Sequence, residues 1–204
     1  RKNEIDSLDP RTPNEVDAGI GLGQATINSS VDSNKIHDLF YTGGQGSGPK
    51  GIAVNTGFGT TNSANDTVAN NMISHITGDG DSVGNTAQQC PVGIYLGAGT
   101  GNGSGQTGIH IYYNSIYMYG NTVNKPKGSS FGIALDAGRA NIKNNIIVNK
   151  LGASAGTGRY CVAIEASNGN TQFLSIDYND YFPHATTLPN YVGLIGSTLY
   201  STVS

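Results

Sequence analysis

Thirty of the 204 residues are glycine, 12% are charged and the net charge is −3. The 11 basic residues are scattered, with no more than two close together, as at Lys125 and Lys127 or Arg1 and Lys2, so the clustered cationic surface that nucleic acid requires is excluded. No apolar run approaches the roughly 18 residues of a membrane-spanning helix, so no membrane insertion is expected; recurring Val, Ile, Leu and Tyr exclude a disordered chain.

Taken in chain order, residues 1–18 read as a lead-in and residues 19–204 as one domain, an excerpt of a longer chain. Gly19-Ile20-Gly21-Leu22 opens the domain as a degenerate strand. Val31 to Ile36 then introduces the pattern apolar-x-x-Asn-x-apolar. A Gly-apolar-x-apolar strand follows at Gly51-Ile52-Ala53-Val54. The pair recurs as Val68 to Ile73 with Gly93-Ile94-Tyr95-Leu96, and as Ile111 to Ile116 with Gly132-Ile133-Ala134-Leu135. Ile142 to Ile147 is followed by Cys161-Val162-Ala163-Ile164, read with Cys in place of Gly. Ile176 to Tyr181 and a degenerate Val192-Gly193-Leu194 complete the series.

Aligned in this way, Asn34, Asn71, Asn114, Asn145 and Asn179 form one column. They are 37, 43, 31 and 34 residues apart. A unit this short cannot bury its own apolar residues, but stacked copies can. Stacked asparagines can also bond one another's side-chain amides at a bend. Between the columns lie Gly-, Ser-, Thr- and Asn-rich stretches, the longest being Thr77–Gln89 and Gly97–Thr107; these read as surface loops. The fold expected is all-β: a right-handed parallel β-helix solenoid of about five to six coils with Gly/Asn-rich loops.

The chain resembles the right-handed parallel β-helix repeat proteins, the architecture of pectate lyases. Segments such as Asn34-Lys35-Ile36-His37-Asp38, Ile111-Tyr112-Tyr113-Asn114-Ser115 and Asp177-Tyr178-Asn179-Asp180-Tyr181 resemble more closely large secreted bacterial proteins exported by type IX secretion. The resemblance implies a secreted or cell-surface location. It does not carry an activity, because one fold hosts many functions.

Chemical motifs are sparse. The outward column two residues before the asparagines reads Asp32, Ala69, Tyr112, Lys143 and Asp177, with no adjacent aspartates to hold Ca²⁺ as a lyase needs. Asp79-Gly80-Asp81 and Gly43-Gly44-Gln45-Gly46 read as ordinary turns, and Gly80-Asp81-Ser82-Val83-Gly84 reads as a chance match, in a loop, to the G-x-S-x-G nucleophile elbow. His37, His75, His110 and His184 stand at different repeat offsets and show no metal-ligand spacing. No catalytic residue, metal ligand or cofactor is expected. Cys90 and Cys161 fall about two rungs apart, too far for a disulfide.

Tyr95, Tyr112 and Tyr117 are expected to face outward and to offer rings on which a sugar could stack. The functional expectation is therefore a non-catalytic module for adhesion, glycan contact or structural display, its partner a polysaccharide or surface glycan. A polysaccharide lyase or glycoside hydrolase is the alternative. A protein that associates end to end with itself is the second alternative.

Overall fold

The structure is a computed structural model, which describes residues 2–7, 18–41, 48–56, 63–78, 87–97, 107–120, 128–152 and 160–202. After β1 (Glu4–Ile5) the strands come in threes. They are β2 (Ala18–Gly23), β3 (Ser30–Asp32) and β4 (Lys35–Tyr41); then β5 (Lys50–Thr56), β6 (Thr67–Ala69) and β7 (Met72–Gly78). Next come β8 (Val92–Leu96), β9 (Ile109–Tyr112) and β10 (Ser115–Met118), then β11 (Ser130–Leu135), β12 (Ala140–Lys143) and β13 (Ile146–Asn149). The last are β14 (Cys161–Ala166), β15 (Phe173–Asp177) and β16 (Asp180–Pro183), followed by β17 (Asn190–Ile195) and β18 (Thr198–Tyr200).

Each triplet places one strand in each of three sheets. Sheet one stacks β2, β5, β8, β11, β14 and β17; sheet two stacks β3, β6, β9, β12 and β15; sheet three stacks β1, β4, β7, β10, β13 and β16. These pairings are all parallel, and only β18 is antiparallel, on the outer edge of β17. The protein is thus all-β with parallel sheets, compatible with a β-helix-like solenoid. Asn3 and Ile5, inside the expected lead-in, already supply a first rung to sheet three.

The core lies between the sheets. Val31, Val68, Ile111 and Ile142 point in from sheet two, Ile36, Ile73, Ile116 and Ile147 from sheet three, and Ile52, Ile94, Ile133 and Ile164 from sheet one. Ile176, expected to continue the first of these columns, is 39% exposed, because β15 is an edge strand. The register also corrects one copy of the repeat. Ile133 pairs with Ile164 and Ser130 with Cys161, so Ala163, not Cys161, occupies the glycine column. A shift of two residues leaves the in–out alternation unchanged, which hid it from the sequence. The glycines are sterically required: a Cβ on Gly93 would stand 2.6 Å from both Gly132 O and Ile116 Cγ2. Cys90 and Cys161 are both buried and form no disulfide, and burial pushes the Cys161 thiol up to about 11.

Between sheets two and three the chain turns on two residues. The second is the column asparagine. The first, Ser33, Asn70, Tyr113, Asn144 or Tyr178, lies in the left-handed region with φ between 52° and 58°. The asparagine then does the bonding. The Asn71 N–H and Nδ2 both donate to Asn114 Oδ1 at 3.1 and 3.0 Å, Nδ2 also donates to Val31 O at 3.0 Å, and Asn71 Oδ1 accepts two bonds from Asn34. The pattern repeats from Asn114 to Asn145 and from Asn145 to Asn179. Each net bond stabilises by about 0.5–1.5 kcal/mol, and leaving a buried partner unmade costs about 1–3 kcal/mol. The left-handed residue is a place for improvement. Tyr178 is 77% exposed and makes little use of its ring, whereas Asn tolerates this conformation. Tyr178→Asn is expected to raise stability by about 0.5–1 kcal/mol, visible as a higher urea midpoint at unchanged slope.

Candidate functional site

The three tyrosines singled out in the sequence do not converge. Tyr95 lies on β8 in sheet one, Tyr112 on β9 in sheet two and Tyr117 on β10 in sheet three. Alternation along a strand separates inside from outside, but it does not say which of three outer faces a residue takes. Tyr95 does point away from the main core, yet it is only 2% exposed. It belongs to a second apolar cluster with Ala53, Val92, Phe131 and Val162 on the outside of sheet one. Its hydroxyl donates to Asp136 Oδ2 at 2.8 Å. Burial, then the Asp136 charge, pushes its pKa up. Tyr112 is half-buried, with its hydroxyl 3.0 Å from His110 Nδ1. Only Tyr117 is exposed as expected. The loops Thr77–Gln89 and Gly97–Thr107, expected to border the site, fall largely outside the described residues, as do the motifs at 43–46 and 79–84.

The outer face of sheet three instead gathers a belt of rings. Phe40 sits edge-on to His75 with centroids 4.9 Å apart, and His75 stacks on Tyr119 at 4.4 Å. Tyr119 lies 4.8 Å from Tyr117. Tyr117, Val148 and Phe182 occupy successive rungs in register, and Phe182 lies 5.5 Å from the His184 ring. The Lys150 ammonium stands over both neighbouring rings, 5.8 Å from the Tyr117 centroid and 5.6 Å from that of Phe182. Tyr117, Tyr119 and Phe182 are all exposed. The belt crosses five rungs, and the register of the parallel strands holds it in place.

A polar cluster closes one end of the belt. Asp38 bonds His37 Nδ1 through one oxygen and His75 Nδ1 through the other, each at 2.6 Å. His37 Nε2 lies 2.9 Å from Glu4 Oε1, which also takes the Lys35 ammonium at 2.6 Å. Facing carboxylates with both nitrogens, His37 makes both bonds as an imidazolium; the bonds to Asp38 and then Glu4 raise its pKa. His37 and His75 in turn hold Asp38 low. Asp38 and His75 stand at the same offset from Asn34 and Asn71 and face each other on adjoining rungs, and both adopt left-handed φ, 56° and 52°, within their strands. Comparing the histidines alone concealed this meeting, because Asp38 is the residue that joins them. Glu4, Asp6 and His37 each bring one ligand atom within 4.8 Å of the others, the described group best able to hold a metal ion. Glu4 and Asp6 are exposed, and Glu4 is already bonded to its neighbours.

One pair of carboxyl groups converges elsewhere, on the outside of sheet one. Asp136 accepts from Tyr95 and, at 3.2 Å, from Ser167 Oγ. Glu165 is 5% exposed and its Oε2 has no hydrogen-bond partner. Burial, reinforced by the Asp136 charge and opposed by Ser167, pushes Glu165 up to about 8. In the sequence this pairing shows only as a Glu at an outward strand position.

No family model, no curated protein and no solved structure matches the chain. The chemistry on these surfaces therefore carries the functional reading by itself.

Proposed function

We propose that this chain is a right-handed parallel β-helix of five to six coils that serves as a non-catalytic, secreted bacterial surface module contacting glycans. The handedness rests on the strong preference of parallel crossover connections for the right-handed sense. The single observation that carries the glycan reading is the exposed belt of Tyr119, Tyr117 and Phe182 along one sheet. Sugar rings present apolar C–H faces that stack on such rings, while the hydroxyls of the tyrosines bond outward. Three large exposed rings on one face are more than the scattered single apolar residues of an ordinary surface.

The test is a glycan array with the purified chain, followed by calorimetry on any hit. Tyr119→Ala and Phe182→Ala are each expected to weaken binding by about 0.5–1.5 kcal/mol with the fold intact. Tyr112→Ala, on a different sheet, should leave affinity unchanged. Loss of binding in the Tyr112 variant alone would place the surface elsewhere.

A second reading, a polysaccharide hydrolase or lyase, draws on Asp136 and Glu165. A protonated acid beside a second carboxylate is the combination that glycosidic cleavage uses. Steady release of sugar ends from a polysaccharide, abolished by Glu165→Gln, would establish it in place of the binding reading.

A further inference from the structure

We propose that the belt on sheet three is selective for acidic polysaccharides, with Lys150 as the residue that reads the acid group. This rests on the glycan-binding reading above and adds the class of ligand. Tyr117 and Phe182 stand two rungs apart, with Val148 between them, so about 9.6 Å separates the two rings along the stack. Two sugars of an extended chain span a similar length, so alternate sugars can meet the two rings. Lys150 lies two residues beyond Val148 on the middle rung, with its ammonium over both rings. It is exposed and has no carboxylate partner among the described residues.

The other cations on this face are placed differently. Lys35 and His37 are engaged with Glu4 and Asp38, and His75 with Asp38. Among the described lysines on the strands of this sheet, Lys150 is thus the one beside the exposed rings and without a carboxylate partner. The exposed His184 lies beside Phe182 at the same end of the strands. The nearest carboxylate on the last rung, Asp180, stands at the opposite end of β16. A saccharide stacked on Tyr117 and Phe182 would hold an attached carboxylate or sulfate near Lys150. The pair would form beside two rings, where water is partly excluded and a charge-assisted bond is stronger than in bulk solvent. An acidic peptide offers the charge without the flat apolar face, so the rings favour the saccharide.

Two polymers with one backbone separate the terms: carboxymethylcellulose, which is anionic, and hydroxyethylcellulose, which is neutral. Affinity electrophoresis of the full chain in each is expected to show at least a tenfold preference for the anionic polymer at low salt. That preference should shrink as ionic strength rises. Lys150→Gln should abolish the preference and leave binding to the neutral polymer unchanged, whereas Phe182→Ala should weaken both. Equal retention by the two polymers in the wild type would overturn the inference while the glycan reading stands. Retention by neither, together with a blank glycan array, would overturn both. Retention by polyglutamate equal to that by carboxymethylcellulose would reduce Lys150 to a general anion contact and overturn the selectivity.

Discussion

Ile116→Asp is expected to yield a chain without native β structure. Ile116 is 1% exposed, with Ile73 and Ile147 on the adjoining rungs. Its Cγ2 lies so close to Gly93 that no Cβ would fit between them. A carboxylate there would meet only apolar side chains, and an unpaired buried charge costs several kcal/mol. A domain of this size has only about 5–15 kcal/mol in hand. Ile73→Asp should behave in the same way. Ile116→Val, which removes one methyl group, should keep the fold and lose about 0.5–1.5 kcal/mol. Far-ultraviolet circular dichroism and a melting curve decide the matter. A native spectrum and an unchanged melting temperature for the Asp variant would mean that the core register is wrong.

Glu165→Gln is expected to stabilise the protein, increasingly so as the pH rises. The Glu165 carboxyl keeps its proton up to about pH 8 in the folded chain, against an ordinary value of 4.5. Between those values the unfolded chain has released a proton that the folded chain still holds. Wild-type stability therefore falls as pH rises through this window, by up to about 1.4 kcal/mol per unit. The contribution is fully present below pH 4.5 and is lost above about 8. Glutamine carries no proton to lose. Its advantage should open near pH 4.5, widen to several kcal/mol and level off above 8. Urea unfolding from pH 4 to 9 reads this directly, with a chelator present to exclude stray cations. Parallel stability curves for wild type and variant would show that Glu165 is ionised in the folded chain and solvated by some route.

How much of this could be read in advance depended on how locally each feature is encoded. The asparagine ladder was fully legible because each rung needs the same side chain at the same bend, and Asn34, Asn71, Asn114, Asn145 and Asn179 all bond as their column implies. Asn3 escaped notice because only the second half of the pattern, Asn3 with Ile5, can be read around it, although it donates to Asn34 like any other rung. Strand alternation correctly turned Tyr95, Tyr112 and Tyr117 outward. It could not assign them to three different sheets, nor show that Tyr95 would be covered. The belt was harder still. It joins residues from five coils, and its rings do not share one offset from the column asparagines: His75 stacks on Tyr119, which stands one place further along its own repeat. Fold is written in columns; the face is written in which columns become neighbours.

The ladder also has a direction. In every asparagine-to-asparagine bond from Asn34 to Asn179 the amide of one rung donates to the Oδ1 of the following rung, so each Oδ1 faces the preceding one. The side-chain dipoles therefore point the same way and polarise one another instead of cancelling. Their oxygen ends face the first rung, where Lys2, Asn3 and Lys35 line a shallow cleft of about 410 Å³. As with the peptide dipoles of a helix, such a row leaves a weakly negative pole at one end and a weakly positive pole at the other. The stack is consequently an object with a polar axis, and cations such as Lys2 and Lys35 stand at the pole that attracts them.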